Sequence, residues 1–121
     1  MERLGAEAFR ARQLLRPGAW IVNFSAEWCP FCQEFLPIFA ALDSDPNFRL
    51  AIGDLTDIDS PLWDGFDLEV TPTLIAFRDG EVVARVNGRR WIGLSSDDLR
   101  KVRAALTGDG EGAAEAAVPR P

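Results

Sequence analysis

Apolar and polar positions change period along the chain, and each change marks an element. Between about residues 6 and 16, Ala6, Phe9, Leu14 and Leu15 stand among arginines, which predicts a surface amphipathic helix ended by Arg16-Pro17-Gly18. The stretch AWIVNFSA, residues 19–26, is short and almost wholly apolar, as a buried strand would be. From Pro30 the period lengthens. Cys32, Phe35, Leu36 and Phe39 fall at offsets 0, 3, 4 and 7, one deeply buried stripe on a helix that ends between Asp43 and Pro46.

Downstream, FRLAIGDL (residues 48–55) predicts a second strand, and Ser60-Pro61 an N-cap with proline in the first helical position of a short helix carrying Trp63 and Phe66. Two β-rich runs around Arg78-Asp79-Gly80 predict a hairpin. Ser95 and Asp98 have capping-box spacing ahead of a last helix with Leu99, Val102 and Leu106 on one face. Residues 107–121, rich in Gly and Ala and without large apolar side chains, are expected to form a disordered tail, so that residues 1–106 make one domain. A crossover followed by a hairpin gives an α/β fold: a central mixed sheet of about four strands, flanked by helices on both faces.

Composition narrows the chemistry. The 121 residues include eight Phe and four Trp, enough for a core that needs no covalent staple. A net charge of −6 without a basic stripe argues against nucleic acid. The apolar runs are strand-sized and the charged N-terminus lacks an apolar signal core, so the expected setting is cytoplasmic, away from membranes. His is absent and so is Tyr, which removes Cys-His and Ser-His pairs and leaves thiols, carboxylates and backbone to do any chemistry.

Both cysteines, Cys29 and Cys32, lie in AEWCPFCQEF. A bridge across two residues removes little unfolded-chain entropy and is a poor structural staple. Two inert core thiols would not need Pro30 between them or Trp28 before them. If Cys29 is the N-cap and Pro30 the first helical residue, Cys29 sits at the exposed helix tip, where free backbone N–H groups favour a thiolate. Cys32, on the apolar stripe, is sheltered, and burial favours its neutral thiol. That asymmetry suits an exchange in which Cys29 attacks a disulfide and Cys32 resolves the mixed disulfide. A zinc site within one chain lacks ligands, whereas an iron–sulfur cluster shared between two chains stays open. So does a binding adaptor that uses a groove around Trp28, Trp63 and Thr71 without turnover.

WIVNFSAEWCPFC, Pro37, VTPTLIAF and the RDGEVV hairpin occur in the order found in the thioredoxin superfamily, which the chain resembles from about residue 6 to residue 106. The resemblance implies a thiol–disulfide oxidoreductase that acts on protein disulfides as a monomer, with a redox-active disulfide in place of any cofactor and a separate reductase or oxidase partner. It implies catalytic Cys29 and Cys32, and substrate contacts from Trp28, Pro30, Phe31, Thr71 and Pro72, with Pro72 as the family's cis-proline and Pro37 tolerated inside the helix.

Several departures stand out. The family's buried acid aligns with Asn23, and its companion lysine aligns near Leu50. Asn23 then reads as a strand residue hydrogen-bonded to backbone, and Glu27 and Glu34 as candidate proton carriers with the character of surface charges. Met1 to Gly5 looks too short for the usual first strand, and VVARVNGRRWIGLSS (residues 82–96) is several residues longer than usual. Without the acid, the expected activity is that of a slow reductase or isomerase.

Overall fold

The computed structural model describes residues 1–43 and 45–107. Five strands form one sheet in the order β1-β5-β4-β6-β7: β1 (Glu2–Leu4), β4 (Ala19–Ser25), β5 (Arg49–Asp54), β6 (Thr73–Arg78) and β7 (Glu81–Asn87). β1, β5 and β4 run parallel; β6 and β7 are antiparallel to their neighbours. Met1 to Gly5 does supply a first strand. Three residues suffice because only the edge beside β5 has to be paired, with Glu2 opposite Ala51 and Leu4 opposite Gly53.

The helix expected over residues 6–16 is absent. A 3-10 turn (Ala6–Ala8) leads instead into a two-stranded ribbon, β2 (Phe9–Arg10) and β3 (Gln13–Leu14), with Phe9 opposite Leu14. Ala11 and Arg12 turn the ribbon at φ 51° and 67°. That conformation matches the twist of paired strands but is disfavoured for side chains other than Gly, Asn or Asp, so nothing in the residue types announces it. Phe9 and Leu14 then point to one side and join Trp20, Val22, Phe24, Phe66 and Phe77 in the core on that face of the sheet.

The opposite face is covered by α1 (Pro30–Ala40) and α3 (Ser96–Thr107), whose Phe35, Phe39, Leu99, Val102 and Leu106 pack on Ile21, Leu50 and Leu74. A short α2 (Leu62–Gly65) lies on the ribbon's side and starts one residue later than expected, with Pro61 instead of Ser60 as its N-cap, while Ser60 Oγ still accepts from Leu62 N–H. The β6–β7 hairpin turns at Asp79 (φ 50°) and Gly80 (φ 92°). The capping box forms, Ser95 N–H donating to Asp98 Oδ2 at 2.8 Å and Asp98 N–H to Ser95 Oγ at 3.4 Å. The expected tail lies outside the described residues, apart from Thr107, which closes α3. Among the described residues, no helix is long and apolar enough to cross a membrane.

Replacing Ala11 by Gly relieves a left-handed backbone and should raise stability by up to about 1 kcal/mol. Urea melts of parent and variant measure it, and a less stable variant would contradict the turn geometry.

Candidate active site

The dithiol sits where β4 ends and α1 begins. Cys29 is extended (φ −95°, ψ 115°), caps α1 and is followed by Pro30, whose missing N–H has no partner to lose at a first helical position. The Cys32 amide donates to Cys29 Sγ at 3.2 Å. Thr71 Oγ1 donates to the same sulfur at 3.2 Å, and the Cys29 thiol donates to the Thr71 carbonyl at 3.6 Å. Both cysteines are free thiols.

Cys29 is less open than its place at a helix tip implied: it is only 4% exposed, against 1% for Cys32. The asymmetry lies in surroundings rather than in access. Burial, followed by its hydrogen bond with Cys29, pushes the Cys32 thiol up to about 11, while the Ala26 backbone and the Thr71 and Ser25 hydroxyls work the other way. Ser25 was not among the residues picked out from sequence; its only signal there was its place two residues after Asn23, on the same face of β4.

Trp28 is 53% exposed, donates from Nε1 to the Thr56 carbonyl at 2.9 Å, and stacks on Trp63 with centroids 6.3 Å apart. Thr56 also takes the Glu27 N–H on its hydroxyl, tying the strand end to the loop after β5. Pro30 is exposed and Phe31 half-buried. Pro72 is buried and the Thr71–Pro72 peptide is cis. Two glycines fit the following loop against these residues: a Cβ on Gly88 would lie 2.3 Å from the Pro72 carbonyl oxygen, and one on Gly93 would lie 3.0 Å from Phe31 Cβ. Thus Cys29, Cys32 and Thr71 share direct contacts, Pro72 and Phe31 adjoin them through the chain, and Trp28 faces the loop after β5. Pro37 lies within α1.

Asn23 is wholly buried, and neither Nδ2 nor Oδ1 has a hydrogen-bond partner, so it is not the backbone-satisfied residue expected from its strand context. Its cross-strand neighbours are Ile52 and Leu74; the register brings Ile52, not Leu50, alongside it. Glu27 and Glu34 are at the surface, Glu27 with Arg3 at 3.7 Å. Among the described residues, no group of three or more His, Cys, Asp or Glu is placed to hold a metal ion.

A mixed α/β sheet that presents a free Cys-x-x-Cys dithiol at a helix start, beside a cis-proline, defines a class of redox domain. The thioredoxin family model matches residues 2–100. Thioredoxin from Chlamydia caviae is 33% identical over 86 residues, covering 70% of this chain and 81% of that protein. Sulfhydryl oxidase 1 from Gallus gallus is 36% identical over 84 residues, 64% of this chain but only 11% of the oxidase. Among solved structures, a mutant thioredoxin from Halobacterium salinarum superposes with a TM-score of 0.62 at 27% identity, covering 75% of this chain and 76% of that one. The chain belongs to the thioredoxin family. Family membership and the paired thiols support a thiol–disulfide oxidoreductase.

In the reduced native protein at pH 8, iodoacetamide should modify Cys29 at least about tenfold faster than Cys32, whose thiol, pushed up to about 11, stays neutral at that pH. In Cys29→Ser, labelling of Cys32 should quicken about tenfold per pH unit from pH 8 to 10, because the thiolate fraction grows at that rate below a thiol's pKa. Mass spectrometry of timed samples reads both rates; equal labelling of the two thiols would contradict the assignment.

Proposed function

We propose that the chain exchanges disulfides with protein substrates, Cys29 attacking and Cys32 resolving, in the direction of a reductase or isomerase. The observation that carries the reading is the hydrogen bond from the Cys32 amide to Cys29 Sγ at the start of α1. That donor, with the Thr71 hydroxyl, meets the sulfur where negative charge lies before attack and returns when Cys29 leaves the mixed disulfide.

In the first step a bond forms between Cys29 Sγ and one substrate sulfur, and the second substrate sulfur leaves as a thiolate. In the second step Cys32, after losing its proton, attacks Cys29 Sγ and releases the first substrate sulfur. Two electrons pass to the substrate, and the chain is left with a Cys29–Cys32 disulfide that a dithiol donor must reduce. The proton of Cys32 is the costly one, since burial holds that thiol neutral. The amide of Asn23 cannot accept it in the way a carboxylate would.

The likeness to sulfhydryl oxidase 1 supports the reverse direction as a second reading. Net oxidation of a reduced test protein by the disulfide form would favour it.

Cys32→Ser should trap a mixed disulfide with substrate protein, because the attacking thiol survives without its resolver. Cys29→Ser should trap nothing comparable. Non-reducing gels of the two variants after mixing with oxidised substrate read the result. Turnover by both variants at the parent rate would show that the activity does not run through this pair; a cysteine-to-serine variant that keeps the full biological effect would favour an adaptor, and iron in the purified parent a cluster-sharing module.

Asn23→Asp should accelerate reduction of insulin disulfides around neutral pH, within the range of about 10²- to 10⁴-fold typical of general acid–base assistance, and should flatten the rise of rate with pH that a resolving thiol at about 11 gives the parent. It should also lower stability at pH 8 by about 2–4 kcal/mol, because a buried carboxylate has no partner there. Rates from pH 6 to 9 and denaturant melts test both effects; an unchanged rate profile would show either that another group, Glu27 or water, already moves the proton or that resolution by Cys32 is not limiting.

A further inference from the structure

The loop between β7 and α3 carries apolar surface that the exchange chemistry leaves unused. Trp91 is 80% exposed and Ile92 63%. A tryptophan so open to water gains nothing in stability, and this one is also held at φ 67°, a left-handed conformation costly for a bulky side chain. The surrounding structure fixes that arrangement firmly. Arg89 N–H donates to the Gly93 carbonyl at 3.1 Å and Gly93 N–H to the Arg89 carbonyl at 2.7 Å. The Arg89 guanidinium forks onto Asp98 at 3.0 and 3.3 Å. Asp98 is itself buried and held by Ser95; burial opposes its charge, and Arg89 with the Ser95 donors outweighs that and keeps the carboxyl below its ordinary value.

The loop's base abuts the dithiol site at two points, Gly88 against Pro72 and Gly93 against Phe31. Its base is thus held by hydrogen bonds and packed against two residues that adjoin the dithiol, and its tip projects from there. Arg90 stands there exposed and makes no ion pair with a described residue. In a chain of net charge −6, an unpaired cation next to two open apolar side chains forms a local site for the opposite charge.

We propose that Arg90, Trp91 and Ile92 select the substrate: the loop docks an extended polypeptide segment that carries an apolar residue and an acidic residue beside its reacting cysteine. The apolar residue lies on Trp91 and Ile92, and the carboxylate meets Arg90. The proposal rests on disulfide exchange through Cys29 and Cys32 and assigns the choice of substrate to a different part of the chain. The exchange is unchanged: the reduced dithiol gives two electrons to the substrate disulfide, one substrate sulfur bonding to Cys29 while the other leaves as thiolate.

The test is single-turnover oxidation of the reduced protein by three disulfides, with no added reductant. Two are synthetic peptides closed by one disulfide, with Leu before one cysteine and either Glu or Lys after it. The third, hydroxyethyl disulfide, offers no chain to dock. The parent should prefer the Glu peptide to the Lys peptide by about tenfold, and Arg90→Glu should reverse the order. Trp91→Asn, which suits the left-handed backbone, should lower the ratio of either peptide rate to the hydroxyethyl disulfide rate by about tenfold.

Ratios that stay the same in the parent and both variants would overturn the docking role while leaving exchange intact. A parent inert to all three disulfides would overturn exchange itself and the docking with it. Sedimentation at the assay concentration covers the remaining occupant: a dimer that Trp91→Asn dissociates would assign the patch to a second copy of the chain and overturn the proposal.

Discussion

The Cys32 amide donates to the Cys29 sulfur across the first turn of α1, and the site's geometry follows from that bond. A helix start leaves several N–H groups without intrahelical partners, and here a thiol takes the place usually held by Ser, Asp or Asn. Pro30 presets the turn, Phe35 and Phe39 anchor the helix on the sheet, and Cys32, buried on the same helix, packs with Cys29 in the core cluster of the other face. With α1 seated in that way, Cys32 has to lie behind Cys29, one turn inward. The two sulfurs differ in environment because one caps the helix and the other belongs to its buried face.

Burial gives Cys32 its protection and also its difficulty. A thiol that stays neutral at pH 7 is safe from stray oxidants but must shed a proton before it can act. Asn23, buried without a partner two residues before Ser25, is a polar group retained at a desolvation cost an apolar residue would avoid. The hydroxyls of Ser25 and Thr71 are the side chains that favour the Cys32 thiolate. These hydroxyls do not replace the carboxylate that the family resemblance would put at position 23, so in the proposed exchange the resolving step is paced by proton loss.

Elements set by local chemistry were legible in the sequence. The 0, 3, 4, 7 spacing placed α1 and both cysteines, Asp79-Gly80 placed the hairpin, and Ser95 with Asp98 placed the last cap. Elements set by distant partners were not. The Phe9–Leu14 ribbon turns on Ala11 and Arg12, residues with no turn preference, and its apolar positions mimic a helix until the core on that face is known. β1 exists because β5 offers an edge. Cys29 looked exposed because a helix tip is open in isolation; its burial comes from the chain packed around it, with Thr71 in direct contact.

An equilibrium redox titration bears most directly on the account. The protein would be poised in glutathione buffers of graded ratio, quenched with acid and weighed by mass spectrometry. The account predicts one two-electron transition, about 30 mV per tenfold change in the oxidised-to-reduced ratio, between a free dithiol and a Cys29–Cys32 disulfide. Accumulation of singly or doubly glutathionylated protein with no internal disulfide at any ratio would contradict it.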